Sequence, residues 1–182
     1  MGIKDLFLKA EGIINTLGPE DLQYLRGICK EIQGAEEKLL QSAQENMKKC
    51  IATCEGLCCR NIELDAIIGL SDFIYLLTVE SALRDKILQC LEKENPLFTS
   101  DCIFLEDGQG PCILPPNSRP ETCIVTFFSD ETAIKKEIRH VKLKFIKLGW
   151  FILLRKPRVL TRYFLNTFNT NVKKKNGTNI ER

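Results

Sequence analysis

Pro19-Glu-Asp-Leu22-Gln-Tyr-Leu25-Arg-Gly-Ile-Cys29-Lys-Glu-Ile32 opens the stretch that decides the fold class. Leu22, Leu25, Cys29, Ile32, Leu39, Ala43 and Cys50 follow one another at helical steps, with Ala35 and Met47 beside the stripe. An apolar stripe that recurs every three or four residues marks the buried face of an amphipathic helix. The spacing predicts one long helix from Pro19 to about residue 49. Pro19 suits its first turn, where a missing N–H costs nothing, and Glu20 and Asp21 suit the positive end of the helix dipole. Cys29 lies on the apolar face and reads as plain core.

Outward from this helix the chain stays helical in texture. Gly18-Pro19 ends a short first helix over residues 3 to 16. Downstream, Ser71 offers an N-cap, and Leu76, Val79, Leu83, Ile87, Cys90 and Leu91 share one face, which predicts a helix to about residue 93. Packing on that face accounts for Cys90. Residues 130 to 154 carry Ile134, Ile138, Val141, Phe145, Leu148 and Ile152 at helical steps. The run Trp150-Phe-Ile-Leu-Leu154 is far shorter than the ~20 residues a membrane span requires, and Lys147 and Arg155 bound it. It suits a bilayer surface or a core. Pro157 breaks the pattern, Val159 to Phe168 predict a last short helix, and residues 171–182 read as a flexible basic tail. The expected architecture is mainly α, with one helical domain over residues 1–170.

Composition agrees with that frame. Apolar residues at 44% and charged residues at 27% are ordinary for a soluble globular chain, so composition gives no argument for disorder or for a membrane span. The N-terminus has no long apolar run and carries Asp5 and Glu11, unlike a secretory signal, so a cytoplasmic address is expected. Charge is unevenly spread. Residues 1–134 hold 12 Lys/Arg against 22 Asp/Glu, whereas residues 135–182 hold 14 against 2. An acidic body with a basic end fits mutual attraction of the two parts, and also an anionic membrane surface or a nucleic acid as partner of residues 135–175.

The least regular parts of the chain hold most of its nine cysteines. Cys50-Ile-Ala-Thr-Cys54-Glu-Gly-Leu-Cys58-Cys59 places four thiols in ten residues, and Cys102, Cys112 and Cys123 form a second group. Between residues 95 and 122, Pro96, Gly108, Gly110, Pro111, Pro115, Pro116 and Pro120 rule out a long regular element. A loop of that length needs something to hold it. In a reducing compartment, clustered thiols more often hold metal than form disulfides, and an odd count fits a closed disulfide framework poorly. Cys50 and Cys54, four residues apart, share a face on a helix, so two thiolates can converge on one ion. Zinc and iron–sulfur clusters both favour four such ligands. Seven thiols fit one full site and an incomplete one, or two full sites if Cys90, His140 or a carboxylate completes the set. The spacing of the first three misses the radical-enzyme pattern, which would need a cysteine at Leu57.

Taken together, Cys50, Cys54, Cys58-Cys59, Cys102-Ile-Phe-Leu105, Gly110-Pro-Cys112-Ile-Leu114 and Arg119-Pro-Glu-Thr-Cys123 resemble the zinc- or iron-chelating CxxCxxCC cysteine-cluster family, the YkgJ type. The resemblance covers about residues 50 to 125. The chain departs from the pattern in having three residues, not two, between its first cysteines, and Ile124 where a basic residue often follows the last one. The resemblance implies metal chelation by Cys50, Cys54, Cys58, Cys59, Cys102, Cys112 and Cys123. Arg119 is either a positive group beside a thiolate or a surface turn.

Three functions remain in competition: a non-catalytic protein organised by zinc or an iron–sulfur cluster, a redox or maturation enzyme with an incompletely ligated metal, and a docking protein for membrane or nucleic acid. A single histidine, His140, and the lack of a Gly-rich phosphate loop or a nucleophile–base pair weigh against the enzyme.

Overall fold

The computed structural model describes residues 2–43, 59, 62, 64–92, 102–106, 111–125 and 134–155. Helix α1 (Ile3–Asn15) starts where the Asp5 carboxylate accepts the backbone N–H of Gly2 at 3.0 Å, satisfying one donor that a helix N-terminus leaves open. Its buried residues, Ile3, Leu6, Phe7, Ala10 and Ile13, repeat at helical steps. Helix α2 (Pro19–Ser42) begins with Pro19 in its first turn, as its sequence dictates, and buries Leu25, Ile28, Cys29, Ile32, Ala35 and Leu39. The N–H of Ala43 closes α2 on the carbonyl of Leu39 at 2.9 Å. The expected continuation to residue 49 lies outside the described residues.

The helix expected from Ser71 to residue 93 is two helices, α4 (Leu70–Val79) and α5 (Arg84–Glu92), preceded by the short α3 (Leu64–Ile67). Two features mark the difference. At the start, Gly69 is the cap, not Ser71, because the Asp72 carboxylate then sits at the third helical position and takes the Gly69 N–H at 2.9 Å. At the break, Thr78 turns its hydroxyl back onto the Ile74 carbonyl at 2.6 Å, and Glu80 leaves helical geometry with φ −113° and ψ 48°. A 3-10 turn over Ser81–Leu83 then redirects the chain so that α5 packs on α1.

Helix α6 (Glu121–Val125) is short, and α7 (Lys135–Arg155) matches the helix expected over residues 130 to 154. The predicted helix from Val159 to Phe168 and the tail over residues 171–182 lie outside the described residues. Among the described residues there is no strand, only one bridge between Leu105 and Cys112. The mainly α expectation is met.

Two apolar clusters share α2 as a wall. The larger joins α1, the first half of α2, α4, α5 and the C-terminal half of α7, with Phe7 and Phe73 edge-on at 5.6 Å. The smaller joins Ala35, Leu39 and Ala43 to Ile124, Ile134, Ile138 and Val141. Between them, Phe145 meets the ring of Tyr75 at 5.7 Å. The uneven charge is spent partly on this packing. Lys144 and Lys147 both reach Glu31, at 2.9 and 2.7 Å, Arg155 reaches Asp21 at 3.1 Å, and Lys142 reaches Glu121 at 3.2 Å. The basic helix and the acidic body therefore attract each other, although exposed pairs of this kind each contribute little. No helix among the described residues is long and apolar enough to cross a membrane.

Candidate functional site

The second cysteine group forms a narrow turn seated on the larger cluster. In Cys102-Ile-Phe-Leu105 the N–H of Leu105 bonds the Cys102 carbonyl at 3.2 Å, which bends the chain tightly. Pro111-Cys112-Ile-Leu114 returns antiparallel to it. Ile113 donates to the Phe104 carbonyl at 2.8 Å and Glu106 donates to the Pro111 carbonyl at 2.9 Å. Cys102, Phe104, Leu105 and Leu114 are buried in the larger cluster. The described apolar residues of the loop seat it on the core, because the chain brings them to one side.

Among the described residues, the first cysteine group meets this turn through Cys59. The N–H of Cys102 donates to the carbonyl of Cys59 at 2.7 Å, joining positions 43 residues apart. Cys102 is buried, while Cys59 and Cys112 are half-buried and pack against the same cluster. Cys123 stands elsewhere, on α6, where its N–H bonds the Pro120 carbonyl at 2.8 Å and its neighbour Ile124 enters the smaller cluster. Cys50, Cys54 and Cys58 lie outside the described residues. Cys90 is half-buried on α5, and His140 is exposed on α7. Among the described residues, no three His, Cys, Asp or Glu side chains stand close enough together to hold a metal ion.

Arg119 is not a surface turn. It is buried, and its Nε–H donates to the Leu114 carbonyl at 3.2 Å, tying the end of the loop to its own turn. Cys29 is core as expected; burial pushes its thiol up to about 12, so it stays protonated and unreactive at neutral pH.

Beneath the loop lies a buried polar group that the sequence reading overlooked. Glu36 of α2 is fully buried, and the Tyr75 hydroxyl donates to its Oε2 at 2.6 Å. The same hydroxyl lies 3.3 Å from the Asn117 carbonyl, and the adjacent Ser118 hydroxyl donates to Glu80 at 2.7 Å. Oε1 of Glu36 has no hydrogen-bond partner among the described residues. Burial above all raises its carboxyl to about 8, with the nearby Asp72 and Glu121 charges acting in the same direction. Asp72 is raised to about 6, again chiefly by burial. Glu36 is therefore mostly a neutral acid at pH 7. The signal was present in the sequence: Glu36 sits four residues after Ile32 and three before Leu39, inside the apolar stripe of α2.

Comparison of the chain with protein-family models, with curated proteins and with solved structures finds no match.

Proposed function

We propose that the chain is a metal-binding cysteine-cluster protein, non-catalytic, in which zinc or an iron–sulfur cluster organises the 50–59 and 102–123 segments. The observation that carries this reading is the 2.7 Å hydrogen bond from the Cys102 N–H to the Cys59 carbonyl, which joins one residue of each cysteine group. The donor chemistry fits the group. Cys102 and Cys112 offer soft sulfur donors on a turn held by backbone bonds and apolar burial, and Cys59 offers a third beside it. Cys50, Cys54 and Cys58 would complete the set, and Cys123 would supply a further thiolate from α6. Bound there, the metal supplies cross-linking of the two segments, and the chain's own residues supply ligands and a half-buried setting.

Purification without oxygen, followed by metal analysis and an absorption spectrum, tests the proposal. Stoichiometric zinc in a colourless protein would select zinc, and visible charge-transfer bands with iron would select the cluster. A folded protein that carries neither zinc nor iron as purified and takes up neither on addition would sink both.

Single-residue variants sharpen the test. Loss of an outer partner of a metal ligand costs roughly 10–100-fold in affinity, and loss of a ligand costs more. Cys58→Ser and Cys112→Ser are therefore each expected to weaken metal retention against a chelator by over about a hundredfold. Proteolysis within residues 95–122 should accelerate in both. Cys29→Ser, in the core, should leave metal retention unchanged. Equal retention in all three proteins and the parent would reject the ligand assignment.

A further inference from the structure

Helix α7 carries two apolar stripes, of which only one is buried among the described residues. Ile138, Val141, Leu148, Phe151 and Ile152 are buried against the body of the protein. Leu143, Ile146, Trp150 and Leu154 are exposed by 53, 54, 60 and 74% of their surface. Their spacing of three, four and four residues places them in one line, roughly 16 Å long at the helical rise. A soluble chain scatters exposed large apolar residues singly; a contiguous line of four marks a contact surface.

We propose that this face of α7 docks on an anionic lipid surface, lying in the interface with its apolar line dipped among the acyl chains. The charge around the line favours this occupant. Lys135, Lys136 and Arg139 are exposed one to two turns before Leu143 and have no carboxylate partner among the described residues. Past the line, after Arg155, which pairs with Asp21, the sequence continues with Lys156, Arg158 and Arg162. An apolar strip bracketed by cations, with an indole within it, is the pattern of an interfacial helix: the strip enters the hydrocarbon boundary, Trp sits at headgroup level and the cations meet anionic headgroups. Since no described helix is long and apolar enough to cross a bilayer, the helix lies on the surface.

Other occupants fit the same residues less well. A second copy of the chain would bring Lys135, Lys136 and Arg139 into an interface to which α7 contributes a single carboxylate, Glu137. The chain's own residues 156–182 carry seven Lys/Arg against one acidic residue, Glu181, and would repel the same cations. A nucleic acid would satisfy the cations and leave four large apolar side chains against a hydrated phosphate backbone. This inference is independent of the metal.

Trp150 is the only tryptophan in the chain, so the full-length protein carries its own probe. The experiment titrates it with vesicles of phosphatidylcholine alone, and of phosphatidylcholine with phosphatidylserine. The expected result is a blue shift of the emission and protection from iodide with the anionic vesicles only, reversed by high salt. Ile146→Ser with Leu154→Ser should abolish the shift while leaving the far-ultraviolet circular dichroism unchanged, since both side chains are exposed. Lys135→Gln, Lys136→Gln and Arg139→Gln combined should weaken partitioning by about a hundredfold, at the contribution usual for three cations near an anionic surface. Unchanged emission and no sedimentation with anionic vesicles would overturn the proposal. So would a stripe-dependent dimer that forms in place of vesicle binding, or a duplex oligonucleotide that binds the parent and the Ile146→Ser, Leu154→Ser variant equally while vesicles do not.

Discussion

Phe104→Ala is expected to lower the unfolding free energy by about 3–5 kcal/mol, the usual cost of removing a fully buried aromatic ring. Phe104 is 1% exposed, and it sits on the turn that presents Cys102 and Cys112. Its ring anchors that turn in the larger cluster, so the truncation leaves a cavity beneath the cysteines. Against a typical total of about 5–15 kcal/mol, a loss of this size is severe. Urea unfolding with a metal chelator present measures it apart from any contribution of the ion. The chelated parent should keep a cooperative transition, and the chelated variant should unfold at markedly lower denaturant. A shift below about 1 kcal/mol would mean that burial does not hold the loop.

The second large effect is a pH dependence centred on Glu36. Its carboxyl is raised to about 8 from an ordinary 4.5. Between those values the folded chain keeps a proton that the unfolded chain releases, so stability falls as pH rises from 4.5 and levels off above 8. Asp72, raised from 3.8 to about 6, adds a slope of the same sign over its own lower window. The hydrogen bonds supply a mechanism. One Tyr75 hydrogen cannot serve both Glu36 Oε2 and the Asn117 carbonyl, but a protonated Glu36 can donate to Tyr75 and release that hydrogen to Asn117. Glu36→Gln keeps the polar partner of Tyr75 and cannot ionise. At pH 8 and above it should be more stable than the parent by on the order of 2 kcal/mol, after the cost of an unpaired amide N–H. At pH 5 the order should narrow or reverse. Denaturant midpoints of both proteins from pH 5 to 9 test this, and parallel profiles would exclude Glu36 as the source.

Much of this architecture was legible because it is written in local periodicity. The stripe from Leu22 to Leu39 gave α2, Pro19 gave its start, and Ile134 to Ile152 gave α7. What escaped depends on partners distant in sequence. The break at Glu80 coincides with a hydrogen bond from Ser118, 38 residues later, and no pattern near Glu80 announces it. The seating of the 102–114 turn was hidden by its Pro and Gly texture, which describes the backbone and says nothing of where Phe104 and Leu105 point. Arg119 was ambiguous for the same reason: its acceptor is a backbone carbonyl, and carbonyls leave no mark in a sequence. Of the candidate site, the main-chain bond between Cys102 and Cys59 could not be read, because backbone acceptors are invisible in a sequence.

Helix α2 belongs to both apolar clusters, Leu25 to Ile32 facing one and Ala35 to Ala43 the other. Either cluster alone is enough to hold α2, so local opening events that free α1 or α7 leave it in place. The amide hydrogens of residues 28–39 should therefore exchange with deuterium only through opening of the whole molecule. Their exchange rates would then give the global unfolding free energy directly, and those of the outer helices a smaller one.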